Sequence, residues 1–270
     1  MPNYICTTCG VEYDLTPQLP EKCLICEDER QYVNWDGQSW ITLDELRMGH
    51  HNTIKQAEPG LYEIGTQPGF AIGQRALLIQ ARSGNILWDC TCLADNQIID
   101  EINAFGGISA IAISHPHFYS TMVEWSRAFG GIPIYLNAAD RQWVMRPDPS
   151  VIYWEGEKYA LGNGLTLVRV GGHFEGSAVL HWEVGAGGRG VLMTGDMPQV
   201  VSDRRFVSFM RSYPNLIPVN ANAVRHIVMA LEPLQFDRIY GGWFDRVILQ
   251  QAKESITRSA ERYLRSIQGS

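Results

Sequence analysis

Four apolar segments of this 270-residue chain end directly in residues that can bind a metal ion or line a binding site. Each segment has the length and composition of a strand, and side chains at the end of a rigid sheet are where sites are usually built. The residues that end or follow them are His115-Pro116-His117, Gly172-His173, Gly195-Asp196 and Gly242-Trp243. This recurrence predicts a sheet-based domain with a site at one sheet edge.

The amino-terminal cysteines form a second pattern. Cys6-x-x-Cys9 and Cys23-x-x-Cys26 are two pairs with 13 residues between them. A C-x-x-C pair brings two thiolates to one ion at a tight turn, and two pairs complete a tetrahedral shell. Two disulfides or four unrelated thiols are the alternative, which the regular spacing and the lack of an export signal disfavour. Cys6, Cys9, Cys23 and Cys26 are therefore predicted to form a structural metal site.

The segment around the first cysteine pair resembles the first knuckle of rubredoxins, including the flanking Tyr4 and Tyr13. The second pair lacks the proline and glycine of that family, so the module resembles a zinc ribbon with a rubredoxin-like first half. Residues 1–30 hold six acidic and two basic residues, which favours a structural or protein-docking role over nucleic-acid binding. Zinc is the expected ion and iron the alternative.

The pattern along the chain predicts three parts. Residues 1–33 are the zinc-ribbon/rubredoxin-like module, 34–59 are a linker, and 60–270 are the main domain, where apolar runs separated by Gly and Pro begin. Residues 247–267 are predicted as the closing helix because apolar residues recur along one face.

Two capping boxes are predicted from Ser/Thr residues followed three positions later by Glu. Thr42 and Glu45 are expected to begin a short helix within the linker. Ser120 and Thr121 are expected to begin a helix that runs to Phe129, with Glu124 closing the box.

From about Gly60 onward the chain resembles the metallo-β-lactamase-fold superfamily. In that family a His-x-His-x-Asp-His run, a Gly-His, a Gly-Asp and a last His bind two metal ions. The residues that match are His115, His117, His173 and Asp196, together with Asp89 at the position of an aspartate that supports the site. The resemblance implies an α/β (α+β) fold, a four-layer αββα sandwich of metallo-β-lactamase type, preceded here by the small zinc-ribbon module.

The departures from that family all fall on one metal position. Tyr119 and Ser120 stand where the second-site Asp and His are expected, and Trp243 stands in place of the last His. The resemblance therefore implies a mononuclear site with three histidines, and with Asp196 as the fourth ligand or a close neighbour.

Zinc held by three imidazoles with an open position lowers the pKa of bound water to about 7. The predicted function is a mononuclear metal-dependent hydrolase that uses the metal-bound hydroxide on a small ester, thioester, lactone or amide. Asp196 is expected to orient the hydroxide or accept its proton, while Tyr119 either packs or directs its phenol at the bound water. The expected cofactors are one zinc ion in the catalytic domain and one in the ribbon, with iron as the alternative at either site.

Two other functions stay open. Histidine and carboxylate ligands also suit non-haem Fe(II), and persulfide dioxygenases are similar in fold, so one is a mononuclear iron oxygenase acting on a sulfur substrate. The other is a non-catalytic metal-binding protein of the same fold. Cys90 and Cys92 are expected as buried thiols, with a reactive or metal-facing thiol as the alternative.

Charge and apolar runs bear on partners and location. A net charge of −7 argues against general nucleic-acid binding, which needs clustered Lys and Arg. The chain shows neither the features of a secretion signal nor a run of roughly 20 apolar residues. We expect a cytoplasmic protein that acts on a small molecule and binds neither nucleic acid nor membrane. The segment 197–218 is predicted as a lid or an oligomer contact, so a homo-oligomer stays open.

Overall fold

The computed structural model describes residues 1–82 and 84–268, so the last two residues of the predicted main domain lie outside the described part. The chain forms two compact units. The first comprises Met1–Leu136 and Arg141–Tyr153, and the second comprises Asn137–Asp140 and the chain from Trp154 onward. None of the helices in the described residues has the length and apolar character that a membrane crossing requires.

The first unit is built on one large sheet. The strands of this unit are β1 (Ile5–Cys6), β2 (Trp40–Ile41), β3 (His51–Glu58), β4 (Leu61–Gln67), β5 (Arg75–Ile79), β6 (Ile86–Trp88), β7 (Ala110–Ala112), β8 (Ile134–Asn137) and β9 (Val151–Trp154). Its α-helices are α1 (Leu24–Glu27), α2 (Leu43–Gly49), α3 (Asn96–Ala104) and α4 (Met122–Ala128). Strands β3 to β9 form a seven-stranded sheet in chain order, and β1 pairs with β2 separately. The sheet is antiparallel from β3 to β6 and parallel from β6 to β8.

The stretch 34–59, predicted as a linker, contains secondary structure. Helix α2 begins at Thr42 with the predicted capping box, in which the Thr42 hydroxyl accepts from the Glu45 amide at 3.3 Å. Strand β3 follows and pairs with β4 along its length. Only Asn52 and Glu58 of β3 are buried. An edge strand of this kind is held mainly by main-chain hydrogen bonds and buries few side chains. Its sequence therefore lacks the apolar run that identified β5 and β6 as strands.

The second unit contains the other large sheet. Its strands are β10 (Lys158–Gly162), β11 (Leu165–Arg169), β12 (Ala178–Trp182), β13 (Val191–Gly195), β14 (Gln199–Val200), β15 (Val207–Ser208), β16 (Met210–Ser212), β17 (Ile217–Pro218), β18 (Arg238–Gly241) and β19 (Val247–Ile248). Its α-helices are α5 (Gly185–Gly188), α6 (Ala221–Leu231) and α7 (Ala252–Gln268), and two 3-10 helices of the chain cover Pro116–Phe118 and Ala138–Trp143. The six-stranded sheet has the order β10-β11-β12-β13-β18-β19, with only β13 and β18 parallel among these pairs.

The core of the second unit lies between this sheet and helices α6 and α7. Val168, Val179, Leu192 and Ile239 from the strands form one apolar cluster with Val224, Ile227 and Ile256 from the helices. The predicted closing helix starts later than expected, at Ala252, because Val247–Ile248 pair with β18 as β19. Gln251, with φ of 55°, separates the strand from the helix.

Candidate metal centres

The four cysteines of the amino-terminal module lie together within the first unit. Cys6 ends β1, Cys23 precedes α1 and Cys26 lies on it. The Sγ atoms of Cys6 and Cys26 are 3.6 Å apart, as are those of Cys9 and Cys23, and all four lie within 4.8 Å of one another. Four sulfurs around zinc at about 2.3 Å are separated by about 3.8 Å, so this spacing suits a tetrahedral metal site.

The surroundings of these thiols shift their pKa values in opposite directions. The pKa values of Cys6 and Cys23 are lowered by hydrogen bonds within the cluster, whereas burial raises the pKa of Cys9 and a hydrogen bond with Cys23 raises that of Cys26. Hydrogen bonds from Cys23 and Cys26 lower the pKa of the Cys6 thiol, and Gln38 Nε2 donates to Cys6 Sγ at 3.1 Å. All four cysteines are buried among Val11 and Ile25. A cluster of buried thiolates is stable only with a cation, because charge without a partner is costly in an apolar site. The cluster fits the predicted zinc-ribbon knuckle.

His115 and His117 lie together in the first unit after the buried strand β7. Their rings are 5.3 Å apart, and both side chains are buried. His115 precedes the 3-10 helix Pro116–Phe118, which carries His117. The two imidazoles are therefore held by a short rigid segment at the end of a strand, as the sequence predicted.

Asp89 supports this segment through Ser114. One carboxylate oxygen of Asp89 accepts from both the amide and the hydroxyl of Ser114, each at 2.8 Å. The Ser114 hydroxyl is also 2.9 Å from Nδ1 of His115. This contact occupies Nδ1, so Nε2 is the nitrogen of His115 that would bind a metal ion. Sequence reasoning identified Asp89 but not Ser114.

Tyr119 and Ser120 follow His117 and are buried. The predicted capping box at Thr121 is wrong, although helix α4 covers the expected range. The Thr121 side chain makes no cap hydrogen bond, and its hydroxyl is directed at the Thr91 carbonyl instead. Glu124 accepts from Arg146 at 2.6 Å. Thr121 and Glu124 therefore bind partners elsewhere in the fold and do not cap helix α4.

His173 and Asp196 lie together in the second unit. Nε2 of His173 is 3.7 Å from Oδ2 of Asp196, and both residues are buried. Nδ1 of His173 is 3.2 Å from the Met210 carbonyl, so Nε2 is again the nitrogen that would bind a metal ion. Gln199 donates to the other carboxylate oxygen of Asp196 at 3.3 Å.

Gly172 precedes His173 in a conformation that favours glycine. Its φ is 83°, and an added Cβ would lie 3.2 Å from Ile227. Asp196 follows β13 and Trp243 follows β18, the two parallel neighbours in which Gly195 faces Gly241. Parallel strands end at the same edge, so these side chains start from adjacent positions.

Tyr213 is a residue that sequence reasoning missed. Its hydroxyl is 3.0 Å from both the Asp196 carbonyl and the Ser208 carbonyl, and its ring centroid lies 6.1 Å from that of His173. Burial, reinforced by the charge of Asp196, raises the pKa of Tyr213 well above its usual value, so the phenol stays protonated as a donor. Tyr213 belongs to the segment 197–218, where no local pattern marks it.

Cys90 and Cys92 are buried thiols, as expected. Burial raises the pKa of Cys92 to about 11, although its hydrogen bonds with Ser120 and Gln74 act to lower it. Both thiols therefore stay protonated at neutral pH, which does not favour a reactive nucleophile.

Solved structures share this fold. The crystal structure of VMB-1 matches 80% of this chain and 98% of its own, with 13% identity and a TM-score of 0.62. DIM-1 metallo-β-lactamase (77% and 98% covered, 12% identity) and FIM-1 from Pseudomonas aeruginosa in its mono-zinc form (78% and 95%, 16% identity) both match with a TM-score of 0.56. The chain has an α/β fold of the metallo-β-lactamase class with a four-cysteine module at its amino terminus, as predicted.

At the level of sequence, no family model matches the chain. The uncharacterized protein YmaE of Bacillus subtilis (strain 168) is 51% identical over 269 residues, which cover 99% of this chain and 97% of that protein. The chain therefore belongs to the same family as YmaE. Fold class and the buried ligand-type side chains together support metal binding.

Proposed function

We propose that this protein is a hydrolase with a single catalytic metal ion bound by His115, His117, His173 and Asp196. The observation that carries the proposal is the support behind two of the imidazoles. Nδ1 of His115 contacts Ser114 and Nδ1 of His173 contacts a main-chain carbonyl, which directs Nε2 of each ring to a metal ion. Metal-binding histidines are characteristically fixed in this way.

A zinc ion held by these side chains would supply a Lewis acid and a bound water whose pKa is near 7. Gln199 holds one oxygen of the Asp196 carboxylate, which leaves Oδ2 on the side of His173. There Asp196 serves as the fourth ligand or accepts the proton of the attacking water. We assign Tyr119, buried two residues after His117, as a phenol donor to the reacting group.

Residue types at the second metal position favour one ion rather than two. Tyr119, Ser120 and Trp243 replace the Asp, His and His that bind a second metal in the resembled family. A zinc ion prefers nitrogen, thiolate and carboxylate ligands, which these three side chains do not offer at neutral pH. FIM-1, a structural neighbour, is described in a mono-zinc form, which supports a one-metal arrangement in this fold.

The substrates that suit such a site are small esters, thioesters, lactones or amides. The half-buried Trp243, carried at the end of β18, adds an apolar wall beside Asp196 in the same sheet. The chain's charge of −7 does not favour a nucleic-acid substrate.

The test uses the full chain loaded with Zn²⁺, metal analysis, and a panel of one nitrophenyl ester, one thioester, one γ-lactone and one β-lactam amide. We expect two zinc ions per chain and hydrolysis of at least one substrate. His173→Ala should lose about one ion and lower kcat/KM about 100-fold or more, because a ligand is removed. His226→Ala, on the exposed face of α6 in the same unit, is the matched control and should keep both properties.

Three results would contradict the proposal. Hydrolysis that survives His173→Ala unchanged would place the reaction elsewhere. Three zinc ions per wild-type chain would contradict the single catalytic metal. Oxygen uptake by Fe²⁺-loaded protein with a persulfide substrate, without any hydrolysis, would favour the oxygenase instead.

A further inference from the structure

Ser120 has a backbone conformation that its surroundings must stabilise. Its φ is 43°, in the left-handed region, where a non-glycine residue is strained. Its hydroxyl accepts from Gln74 Nε2 at 2.6 Å and donates to the Cys90 carbonyl at 3.3 Å. The strained residue is thus fastened, three positions after His117, to the loop that follows β6 and to Gln74 just before β5.

The cysteine module reaches the same residue from the other side. The Glu12 amide donates to the Ser120 carbonyl at 3.1 Å. Gly10, in the first knuckle, lies so close to Cys92 that an added Cβ would be 2.2 Å from its Sγ. Cys92 Sγ in turn is 3.8 Å from the Ser120 hydroxyl. The turn that carries Cys9 is therefore packed directly on the loop that carries His117.

A buried ion network ties the module to the next helix as well. Arg146 donates to Glu12 of the module and to Glu124 of α4, and Glu12 and Arg146 are both nearly inaccessible to solvent. Buried charges tolerate little displacement, because a buried charge left without its partner is strongly destabilising. Both ends of the segment from Ser120 to Glu124 are thereby fixed to the cysteine knuckle.

We propose that the four-cysteine centre positions the histidine loop from a distance, and that Ser120 is the positioning residue through which it acts. A metal ion holds Cys6 and Cys9 in one turn, that turn fixes Gly10 and Glu12, and these hold Ser120 in its strained conformation. The coupling itself does not depend on the proposed function. Its effect on the geometry of His115 and His117 at a catalytic ion rests on that function. By linkage, loosening Ser120 must also weaken metal binding at the cysteines.

The first experiment is hydrogen–deuterium exchange on the full chain loaded with Zn²⁺. Cys26→Ser removes one ligand of the cysteine centre. Amides of residues 118–124 should then exchange about tenfold faster, while those of β4 and β5 keep their wild-type rates. Ser109→Ala, which removes a hydroxyl bonded to the Asn85 carbonyl in the same unit, is the control and should leave residues 118–124 unchanged.

A second variant covers the case in which Cys26→Ser does not fold. Ser120→Ala removes the hydroxyl while keeping all four cysteines. In Co²⁺-loaded protein the thiolate-to-cobalt absorption reports the cysteine centre alone, and its decrease during a titration with EDTA gives the affinity of that centre for cobalt. Ser120→Ala should lower that affinity roughly tenfold. Ser109→Ala, which removes a hydroxyl bonded to the Asn85 carbonyl in the same unit, should stay within about twofold.

The inference is overturned if Cys26→Ser loses its metal while residues 118–124 exchange at wild-type rates, or if Ser120→Ala binds cobalt as tightly as Ser109→Ala does. Its failure is distinct from failure of the proposed function. A protein that shows the exchange and cobalt effects but hydrolyses nothing retains the coupling and loses the function. Hydrolysis that depends on His173, without the exchange effect or the cobalt effect, would support the proposed function and contradict the coupling.

Discussion

At the scale of single residues, the histidines of this protein depend on neighbours that bind no metal. Ser114 links Asp89 to His115, and a main-chain carbonyl fixes His173. These contacts set which ring nitrogen can bind a metal ion, so they matter to affinity as well as to orientation. Glu12 is a buried acid whose pKa is raised by burial.

Glu12 makes stability depend on pH. Burial raises its pKa from 4.5 to about 7, although Arg146 acts in the opposite direction. Between these pH values the folded state holds a proton that the unfolded state has released, so the free energy of unfolding falls as pH rises, by up to about 3 kcal/mol. Glu12→Gln should flatten this dependence, measured by urea unfolding at a series of pH values from 4.5 to 8.

Glu21→Gln is the control for Glu12, because Glu21 is an exposed acid of the same module. It should follow the wild-type curve. A Glu12→Gln curve as steep as that of the wild type would show that other groups produce the dependence. Besides Arg146, the charged groups that influence Glu12 are Glu124 and Arg127.

At the scale of elements, strands place the ligands and helices cover the sheets. Strand β7 delivers His115, and β13 ends at Gly195 immediately before Asp196. Helix α7 covers the second sheet with a face that includes Ala252, Ile256 and Ala260, as its spacing predicted. Periodicity identified that face correctly but placed the start of the helix too early, because it cannot distinguish one turn of helix from a two-residue strand.

Two isoleucines of α7 provide a matched test of this packing. Ile256 is 3% exposed in the core cluster, while Ile267 is 38% exposed. Ile256→Ala should lower the free energy of unfolding by about 2–5 kcal/mol, because it opens a cavity. Ile267→Ala, the same change in the same helix, should cost under about 1 kcal/mol. Equal losses in urea unfolding would contradict the core assigned to α7.

At the scale of the whole molecule, the chain combines two kinds of metal ligand set. The four cysteines lie within the first unit, buried and closely spaced. The histidine and aspartate pairs lie at the ends of strands in a metallo-β-lactamase fold. Thiolates hold zinc tightly and suit a structural role, whereas imidazoles with an open coordination position suit chemistry. The protein therefore pairs an ion expected to support folding with one expected to react.

Metal removal should accordingly lower stability. A ligand that binds only the folded state adds to its free energy of unfolding, and loss of a thiolate-bound ion also leaves buried thiols unpaired. Dialysis of the full chain against a chelator under reducing conditions should lower the first thermal transition by about 10 °C or more. Zn²⁺ should restore it, and Mg²⁺, which prefers oxygen ligands, should not. An unchanged transition in protein shown to be metal-free would refute a structural ion.

The amino-acid sequence alone was enough for features that arise from local chemistry, because periodicity and spacing act over a few residues. Cysteine spacing predicted one metal cluster, and strand ends followed by His or Asp predicted a site at one sheet edge. The ligand set and the fold class were implied by the resemblance of these motifs to the metallo-β-lactamase superfamily. Contacts between residues far apart in the chain became known only from the folded structure. Arg146 reaches Glu12 across 134 positions, Ser120 bonds Gln74 rather than capping a helix, and Tyr213 holds the Asp196 carbonyl. Buried polar groups take whichever partners the packed chain brings within reach, and no local pattern records that choice.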